Sequence, residues 1–479
     1  MSTFIEDALP VALPILGTAA AVVAGAHVVL RVKDARAAVG WLGIVVLLPF
    51  VGPLVYWVFG INRVRRRALA LWRRRERPYP VGDEDRDARL ALGDDTHLLE
   101  LAHLIDNVTV RPLVPRNHIE PLVNGDAGYA AMLDAIESAT HSVTLVTYIF
   151  DRDEAGMRFV IALGRAVQRG VAVRVLIDAV GARYSFPTVL HELRLHAVTV
   201  ARFNPTLFPW RWAYTNLRNH RKIVVVDGRV GFTGGLNIRH GHCVAEAPRH
   251  PVLDLHFKVE GPVVGQMQRC FAEDWHFTTG ERLDESFFPE LAPTTTGDVF
   301  ARGISDGPDI DVGKLRWAVL GALACARQRV RIVTPYFLPE ADLLAGLMTA
   351  VLRGVVVEVI LPERNNQLLV KWASAAILPE LVAGGCQVFA TQGPFDHSKV
   401  IVVDDAWVLL GSANLDPRSL RLNFEFNIEC YSADFARRVG EIIDVKLTGA
   451  RRVTLGDFAE VGLARRLRNG VARLFVPYL

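Results

Sequence analysis

The sequence is poor in cysteine, and it lacks the cysteine spacing that zinc sites and disulfide frameworks use. The 479 residues include only five cysteines, and no two of them are separated by two residues. They are Cys243, Cys270, Cys325, Cys386 and Cys430. An odd number of scattered thiols excludes a disulfide-based fold, and it is typical of a protein whose main body lies in the reducing cytosol.

Net charge is also nearly absent. The chain has 54 Lys and Arg residues against 51 Asp and Glu residues, which leaves a formal charge of +3. This balance gives no basic field of the kind that binds nucleic acid, so we expect no nucleic-acid partner. With 51% hydrophobic and 22% charged residues the chain is not a disordered protein. At about 100–200 residues per domain, its length accommodates two to four domains.

Apolar sequence is concentrated at the N-terminus, and it raises the mean hydropathy to +0.23. Ala8–Leu30 and Ala37–Gly60 are two apolar runs, and each exceeds the roughly 20 residues that cross a bilayer. Glu6 precedes the first run where a signal peptide would be basic, so we expect both runs to be retained. Pro49 and Pro53 predict a kinked or re-entrant path for the second run.

The flanking charges predict the orientation of these runs. Seven arginines follow the second run, namely Arg63, Arg65, Arg66, Arg67, Arg73, Arg74 and Arg75. The positive-inside tendency therefore puts the chain after residue 60 in the cytoplasm, with the N-terminus on the same side. We expect a multi-pass protein of the inner (cytoplasmic) membrane. Residues 1–60 are predicted to form two transmembrane or membrane-embedded helices, and residues 61–100 a basic juxtamembrane segment and polar linker.

An internal repeat occupies the remainder of the chain. Residues 219–238 read NHRKIVVVDGRVGFTGGLNI, and residues 396–415 read DHSKVIVVDDAWVLLGSANL. Both copies contain the pattern H-x-K-x4-D, then a pair of small residues and an Asn. The matched positions are His220, Lys222, Asp227, Gly234, Gly235 and Asn237 in the first copy, and His397, Lys399, Asp404, Gly411, Ser412 and Asn414 in the second. Only seven lysines occur in the chain, and two of them occupy matched positions.

The similarity extends upstream of the two motif segments. The apolar run Val143–Ile149 matches Val330–Val333, and Val171–Ile177 matches Val355–Leu361, with a helical pattern between the members of each pair. Alternating strands and helices predict an α/β fold. We therefore predict two similar α/β halves, residues 101–295 and 296–479. The halves are expected to form a pseudo-dimer with one shared active site at their junction.

The residue types in the repeat suit chemistry on a phosphodiester. On a strand, side chains two residues apart share a face, so the H-x-K pattern predicts an imidazole beside an ammonium group. The small pairs are expected to let backbone N–H groups approach an anion. Two Lys and two Asn from both halves would stabilise charge on the phosphate oxygens, and two imidazoles would supply nucleophile and acid. This chemistry needs no metal and no cofactor.

With these motifs the sequence resembles the phospholipase D superfamily, which is named for its paired HKD motifs. More narrowly it is similar to bacterial cardiolipin synthases of the phospholipase D type. The resemblance covers nearly the whole chain, and it includes the segments LLPFVGPLVYWVFG, TPYFLPE and GSANLDPRSLRLNFEFN. It implies a phosphatidyltransferase that converts two phosphatidylglycerol molecules to cardiolipin and glycerol at a membrane. The oligomeric state stays open.

The resemblance also implies roles for single residues. One histidine attacks phosphorus to give a phosphatidyl-histidine, and we assign this role to His220, with His397 as acid and then base. A carboxylate about thirty residues after each motif usually orients a histidine, and the candidates are Asp254 and Glu425. The remaining roles follow from the motif: Lys222, Asn237, Lys399 and Asn414 bind the phosphate, and Asp227 and Asp404 complete the catalytic motifs as structural members.

Two departures from the family pattern and four alternative functions accompany this interpretation. The segment VLD before the first carboxylate replaces a common Trp-Arg pair, and Asp396 precedes the second motif histidine. Hydrolytic phospholipase D activity, or transfer to another acceptor, would use the same motifs. A nuclease and a catalytically dead membrane scaffold are the alternatives from other classes.

Overall fold

The computed structural model describes residues 2–32, 35–57, 96–205, 217–288, 297–308, 311–459 and 461–476. The chain divides into two compact units. One contains the N-terminal helices, and the other contains the chain that is described from residue 96 onwards. The arginine run at residues 63–75 and most of the predicted linker lie outside the described residues.

The N-terminal unit consists of the helices α1 (Ser2–Arg31), α2 (Ala35–Leu47) and α3 (Val51–Val55). The chain leaves helical geometry between α2 and α3, where Pro49 lacks the N–H that a continuing helix needs. The second apolar run is therefore broken at Pro49, as predicted, whereas Pro53 lies within α3. Within the described residues, Pro14–Arg31 of α1 is the one segment long and apolar enough to cross a membrane, and α2 is shorter.

A small core joins the three N-terminal helices. Val28, Val45 and Tyr56 are buried in it. The Tyr56 hydroxyl lies 2.7 Å from Nδ1 of His27, which gives both polar groups a partner among apolar neighbours.

The second unit is a mixed α/β structure. Its α-helices are α4 (Thr96–Val108), α5 (Asn124–Glu137), α6 (Glu154–Gln168), α7 (Val189–Leu195), α8 (Val263–Thr279), α9 (Lys314–Cys325), α10 (Ala341–Leu352), α11 (Leu368–Ala383), α12 (Pro417–Arg421), α13 (Ala433–Leu447), α14 (Gly456–Ala459) and α15 (Leu463–Leu474). Its strands are β1 (Val114–Val123), β2 (Ser142–Thr147), β3 (Ala172–Asp178), β4 (Thr199–Phe203), β5 (Arg218–Asn219), β6 (Ile223–Val226), β7 (Val230–Gly234), β8 (Val252–Leu253), β9 (Leu255–Glu260), β10 (Val299–Asp306), β11 (Arg329–Val333), β12 (Val356–Pro362), β13 (Gln387–Thr391), β14 (Phe395–Asp396), β15 (Val400–Val403), β16 (Trp407–Gly411), β17 (Asn423–Tyr431) and β18 (Arg451–Val453).

The order of the strands shows the repeat directly. From one edge the first half runs β4-β3-β2-β6-β7-β9-β1, and the second half continues as β10-β17-β16-β15-β11-β12-β13, with β18 at the far edge. The strands β2, β3 and β4 are parallel to one another, and so are β11, β12 and β13. Antiparallel pairing of β1 with β10 joins the two halves. The predicted pair of similar α/β halves is confirmed, because matched strands follow the same order in both halves from the outer edge to the junction.

Periodicity explains why these segments fold as they do. Every residue of β2 is buried, as expected for a strand covered by helices on both faces. The following helix, α6, is amphipathic, and its N-cap Asp153 accepts a hydrogen bond from the N–H of Gly156. The matched segments β11 and α10 repeat this order in the second half.

Each half has its own apolar core. One core contains residues of β2, β3, α5 and α6, and the other contains residues of β11, β12, α9 and α10. Helix α4 packs into the second core through Leu98, Leu101 and Ile105. Residues close to the N-terminal boundary of the predicted first half thus help to bury the apolar surface of the second half.

Candidate active site

The two H-x-K segments do not lie within the strands that follow them. Residues 220–222 connect β5 to β6, and residues 397–399 connect β14 to β15. The prediction that His and Lys share the face of one strand is therefore wrong. Because these residues are outside the sheet ladder, each lysine reaches back to its own motif. Lys222 Nζ donates to the His220 carbonyl at 2.8 Å, and Lys399 Nζ donates to the His397 carbonyl at 2.5 Å.

The short strands before the two histidines cross between the halves. β5, in the first half, pairs with β17 of the second half, and β14, in the second half, pairs with β8 of the first. The His220 N–H donates to the Phe424 carbonyl, and the His397 N–H donates to the Leu253 carbonyl. The backbone of each histidine is thus held by the opposite half.

The same crossing joins each histidine to a carboxylate of the other half. Nδ1 of His220 lies 3.0 Å from both carboxylate oxygens of Glu425. Nδ1 of His397 lies 2.9 Å from Oδ2 of Asp254. The sequence places one such carboxylate after each motif but leaves open which histidine it meets. In the structure every histidine is paired with the carboxylate that follows the other motif.

The two carboxylates differ in their surroundings. Glu425 also accepts hydrogen bonds from Ser412 Oγ at 2.5 Å and from Asn423 Nδ2 at 3.0 Å. Burial opposes its ionisation, but the charges and hydrogen bonds around it, His220 first, lower the pKa of Glu425. For Asp254, burial prevails over the opposing charges and raises the pKa to about 6. Glu425 is therefore the more firmly ionised partner.

The pKa values of both imidazoles are lowered, which favours their neutral forms. Burial lowers the pKa of His220, although the Glu425 charge opposes this shift. Burial, together with the charges of Lys399 and Lys222, puts the pKa of His397 well below its ordinary value. A neutral imidazole beside a carboxylate donates from Nδ1, so Nε2 of each ring keeps its lone pair. A free Nε2 lone pair is what a nucleophile or general base requires.

The two lysines form a concentrated patch of positive charge. Both side chains are buried, with 2% and 3% of Lys222 and Lys399 exposed. Burial and the charge of Lys399 lower the pKa of Lys222 to about 7, against the attraction of Glu425. Burial alone is the main cause that lowers the pKa of Lys399 to about 8. The lowered pKa values show that the charged forms of both lysines are destabilised by burial and mutual repulsion. A bound anion would stabilise these charged forms.

The side chains of the two predicted asparagines are buried and hydrogen-bonded to residues outside the two H-x-K motifs. Asn237 Oδ1 accepts the N–H of Ile149 at 3.2 Å, and its side chain is largely buried. Asn414 Nδ2 donates to Ser419 Oγ at 3.3 Å. Oδ1 of Asn414 is buried and has no hydrogen-bond partner within the described ranges.

The two motif aspartates fix the ends of neighbouring strands. Asp227, in a left-handed turn, accepts the N–H groups of Thr140, His141 and Ser142 at 2.7–2.9 Å. Asp404 occupies the matched turn and accepts three backbone N–H groups of residues 327–329 at 2.8 Å each. Each aspartate thereby ties the hairpin after its motif to the start of β2 or β11.

The small residues make room for the carboxylates rather than for an anion. A Cβ on Gly235 would lie 1.9 Å from Oδ1 of Asp254. At the matched position Ser412 donates to Glu425. The N–H groups of both residues donate to carbonyls of the sheet, those of Leu255 and Phe426. The prediction that these N–H groups are open to an anion is therefore wrong.

Comparison with known proteins accords with this geometry. A family model described as "Cardiolipin synthase, PLD-like domain" matches residues 132–275 and 319–445, and one described as "Phospholipase_D-nuclease N-terminal" matches residues 19–60. A cardiolipin synthase of Geobacillus thermodenitrificans is 32% identical over 92% of this chain and 88% of its own length. Cardiolipin synthase A of Pseudomonas putida is 33% identical over 96% of both chains.

This chain belongs to the cardiolipin synthase family of phospholipase D-like proteins. A solved phosphatidylserine synthase of Haemophilus influenzae shares the fold, with a TM-score of 0.62 and 15% identity. The match covers 79% of this chain and all of that one.

The structure shows the surroundings of the two departures from the family pattern. Asp396 accepts hydrogen bonds from the N–H and Oγ of Ser398 and from Lys446 Nζ at 2.7 Å. These partners lower the pKa of Asp396 in spite of its burial and compensate its charge next to His397. The Val252–Leu253 segment, where the family often has other residues, supplies strand β8 and holds the backbone of His397.

Two tyrosines lie beside the motif histidines, and the site predicted from the sequence does not include them. The Tyr148 ring lies edge-on to His220 at 5.2 Å, and the Tyr336 ring lies edge-on to His397 at 6.3 Å. Both follow the matched strands, in the segments TYIF and TPYF. The repeat alignment contains the signal that could have identified them.

Proposed function

We propose that this protein is a cardiolipin synthase that transfers a phosphatidyl group from one phosphatidylglycerol to another and releases glycerol. The observation that carries the proposal is the crossed arrangement of the two histidine–carboxylate pairs around the two buried lysines. In this proposal one phosphodiester binds at the junction of the halves, so both motifs form a single shared site. Lys222 and Lys399, with Asn237 and Asn414, stabilise negative charge on its oxygens.

The first step forms a covalent intermediate. Nε2 of His220 attacks phosphorus, a nitrogen–phosphorus bond forms, and the bond from phosphorus to the glycerol oxygen breaks. His397 gives its proton to that oxygen. Because binding of an anionic phosphodiester favours the charged imidazolium, we expect His397 to take up this proton together with the substrate. The low pKa of Glu425 supports His220 as the nucleophile, since an ionised carboxylate stabilises the imidazolium that the attack creates.

The second step reverses the direction of proton transfer. The head-group hydroxyl of a second phosphatidylglycerol loses its proton to His397, and its oxygen attacks phosphorus. The nitrogen–phosphorus bond breaks, and His220 returns to its resting form. The products are one cardiolipin and one glycerol. The residues present supply the charge stabilisation without a metal, and we expect full activity in the presence of a chelator.

Incubation of the purified full chain with phosphatidylglycerol alone, with a chelator present, tests this proposal. Mass spectrometry should find cardiolipin and glycerol in equal amounts. Phosphatidic acid as the main product would instead assign hydrolytic phospholipase D activity. A requirement for a nucleotide-activated lipid or for a divalent cation would contradict the mechanism.

We also propose that the N-terminal unit lies in the membrane and that the catalytic unit is cytoplasmic. The apolar length of α1, the Pro49 break and the arginine run in the sequence support this topology. A Ser2→Cys variant in a Cys325→Ser background tests it with an impermeant maleimide. Labelling of inside-out vesicles alone is expected, and labelling of right-side-out vesicles would contradict the assigned orientation.

A further inference from the structure

The last described helix, α15, exposes its apolar face. Four apolar side chains of this helix, with Phe475 after it, fall within an arc of about 120° at 100° per residue. The exposed fractions of Leu463, Leu467, Val471 and Leu474 are 72%, 61%, 54% and 75%. A surface helix of a soluble domain normally turns such a stripe inward.

The side of α15 opposite the apolar row meets the body of the protein, and its arginines stay exposed around that contact. Ala472 is buried in the second core, and it attaches the helix there. Arg465, Arg466 and Arg473 line a cavity of about 1020 Å³ between α15, α11 and the ends of β12 and β13. The usual orientation of an amphipathic helix is thus reversed, and the apolar row is left for a ligand outside the chain.

The charged side chains of this helix are all of one sign. Residues 461–476 contain four arginines and no acidic residue. Within the described chain, no carboxylate lies at ion-pair distance from Arg465, Arg466 or Arg473. Arg468, on the other border of the apolar row, stacks on the Trp372 ring at 4.6 Å. Helix α13 is a contrast, because its arginine Arg437 pairs with Glu441 and its apolar side is buried.

We propose that α15 is an interfacial helix that docks the catalytic unit onto an anionic lipid surface. Its apolar row enters the acyl boundary, and the arginines on both borders of the row bind lipid phosphates. The charge pattern selects this occupant. A second copy of the same face would bring two rows of arginines together without a carboxylate from residues 461–476 to neutralise them, whereas an anionic bilayer neutralises them directly. The inference concerns a surface outside the active site and holds for any acceptor lipid.

A nitroxide on the full-length protein in nanodiscs tests the proposal without turnover. Val471→Cys and Leu467→Cys report on the apolar row, and Leu195→Cys, 65% exposed at the end of α7, is the matched control. A Cys325→Ser background limits labelling to the new thiol, since the other native cysteines are buried. Nanodiscs with about one third phosphatidylserine in phosphatidylcholine provide the anionic surface, and phosphatidylcholine alone is the reference.

Nitroxides at positions 467 and 471 should be relaxed by oxygen and shielded from a water-soluble nickel complex in the anionic nanodiscs. The label at position 195 should show the opposite preference. Arg466→Gln with Arg473→Gln should remove most of this shielding, whereas Arg194→Gln should leave it unchanged. Equal access of the nickel complex at positions 471 and 195 would overturn the proposal. Dipolar broadening between labels at position 471 of two copies would also overturn it, in favour of self-association.

Discussion

The imidazole of His220 is hydrogen-bonded to the carboxylate of Glu425, which lies 205 residues further along the chain and in the other half of the fold. The reciprocal pair, His397 with Asp254, spans 143 residues in the opposite sense. Each half therefore supplies one motif histidine and the carboxylate that pairs with the histidine of the other half. Neither motif histidine finds its carboxylate within its own half, so each of these two pairs depends on the docking of both halves.

The crossed pairing predicts which chemical step each carboxylate supports. Glu425→Gln should slow formation of the phosphatidyl-histidine at His220 by about a hundredfold or more, because the amide stabilises neither the Nδ1–H tautomer nor the imidazolium. Asp254→Asn should mainly slow the steps that need proton transfer by His397. Single-turnover measurements with labelled phosphatidylglycerol separate these effects. A slow adduct in Asp254→Asn together with a normal adduct in Glu425→Gln would reverse the assigned nucleophile.

The lysines should contribute to the rate but not to stability. Lys222→Met or Lys399→Met should lower turnover by about a hundredfold or more, since each removes a charged donor from the phosphate. The melting temperature should stay the same or rise, because both ammonium groups are buried at a cost that lowers their pKa. Arginine should restore little activity, since its planar fork does not occupy the position of a compact ammonium. A normal rate in Lys399→Met would exclude a phosphate shared by both halves.

Anion affinity should depend on pH through the same two groups. With pKa values of about 7 for Lys222 and about 8 for Lys399, both lysines are charged below pH 7 and lose their protons as the pH rises. Binding of an anion must then return those protons, so affinity falls above pH 7, by up to about tenfold per pH unit for each proton taken up. Sulfate keeps its charge over this range and serves as the probe in calorimetry. In Lys222→Met the fall above pH 7 should be less steep, by up to about tenfold per pH unit, because one proton fewer is taken up on binding. A pH-independent sulfate affinity in the native protein would contradict the lysine assignment.

The motif aspartates should affect stability rather than chemistry. Asp404→Asn weakens three backbone N–H···O hydrogen bonds, and charge-assisted bonds of this kind contribute about 1.5–3 kcal/mol each. We expect a lower free energy of unfolding, with near-normal turnover at temperatures where the variant stays folded. Asp227→Asn is the matched variant of the first half. Loss of turnover by a fully folded Asp404→Asn protein would place this carboxylate in the catalytic machinery instead.

Sequence periodicity and the repeat were sufficient to predict the halves. The apolar runs predicted as strands correspond to β2, β3, β11 and β12, because β-branched residues in short buried runs favour this structure. The repeat also identified the motif residues, since matched polar positions in two copies are unlikely to arise from packing alone. The structure places the predicted histidines and carboxylates within hydrogen-bond distance of one another.

Other features depended on contacts that a repeat cannot reveal. A pseudo-symmetric pair of motifs is compatible with carboxylates that serve their own half or the other half, and only tertiary pairing of β5 with β17 decides between them. The roles of Gly235 and Ser412 depend on the position of a carboxylate that approaches from the neighbouring strand. The outward apolar face of α15 follows from the burial of Ala472, and amphipathic periodicity alone predicts the opposite orientation.

The crossing of the two short strands has a consequence for the timing of synthesis. On the ribosome the first half can form its own core early, but His220 has no carboxylate until residue 425 has left the exit tunnel and β17 has paired with β5. A contact between residues about two hundred positions apart forms late in folding. The intervening chain loses conformational entropy when its ends meet, and the contact offsets this cost only after it has formed. In the proposed mechanism, a nascent chain that ends before residue 425 is therefore inactive, because His220 has no carboxylate partner. On this proposal, reactivity begins only after both halves have been made and have docked.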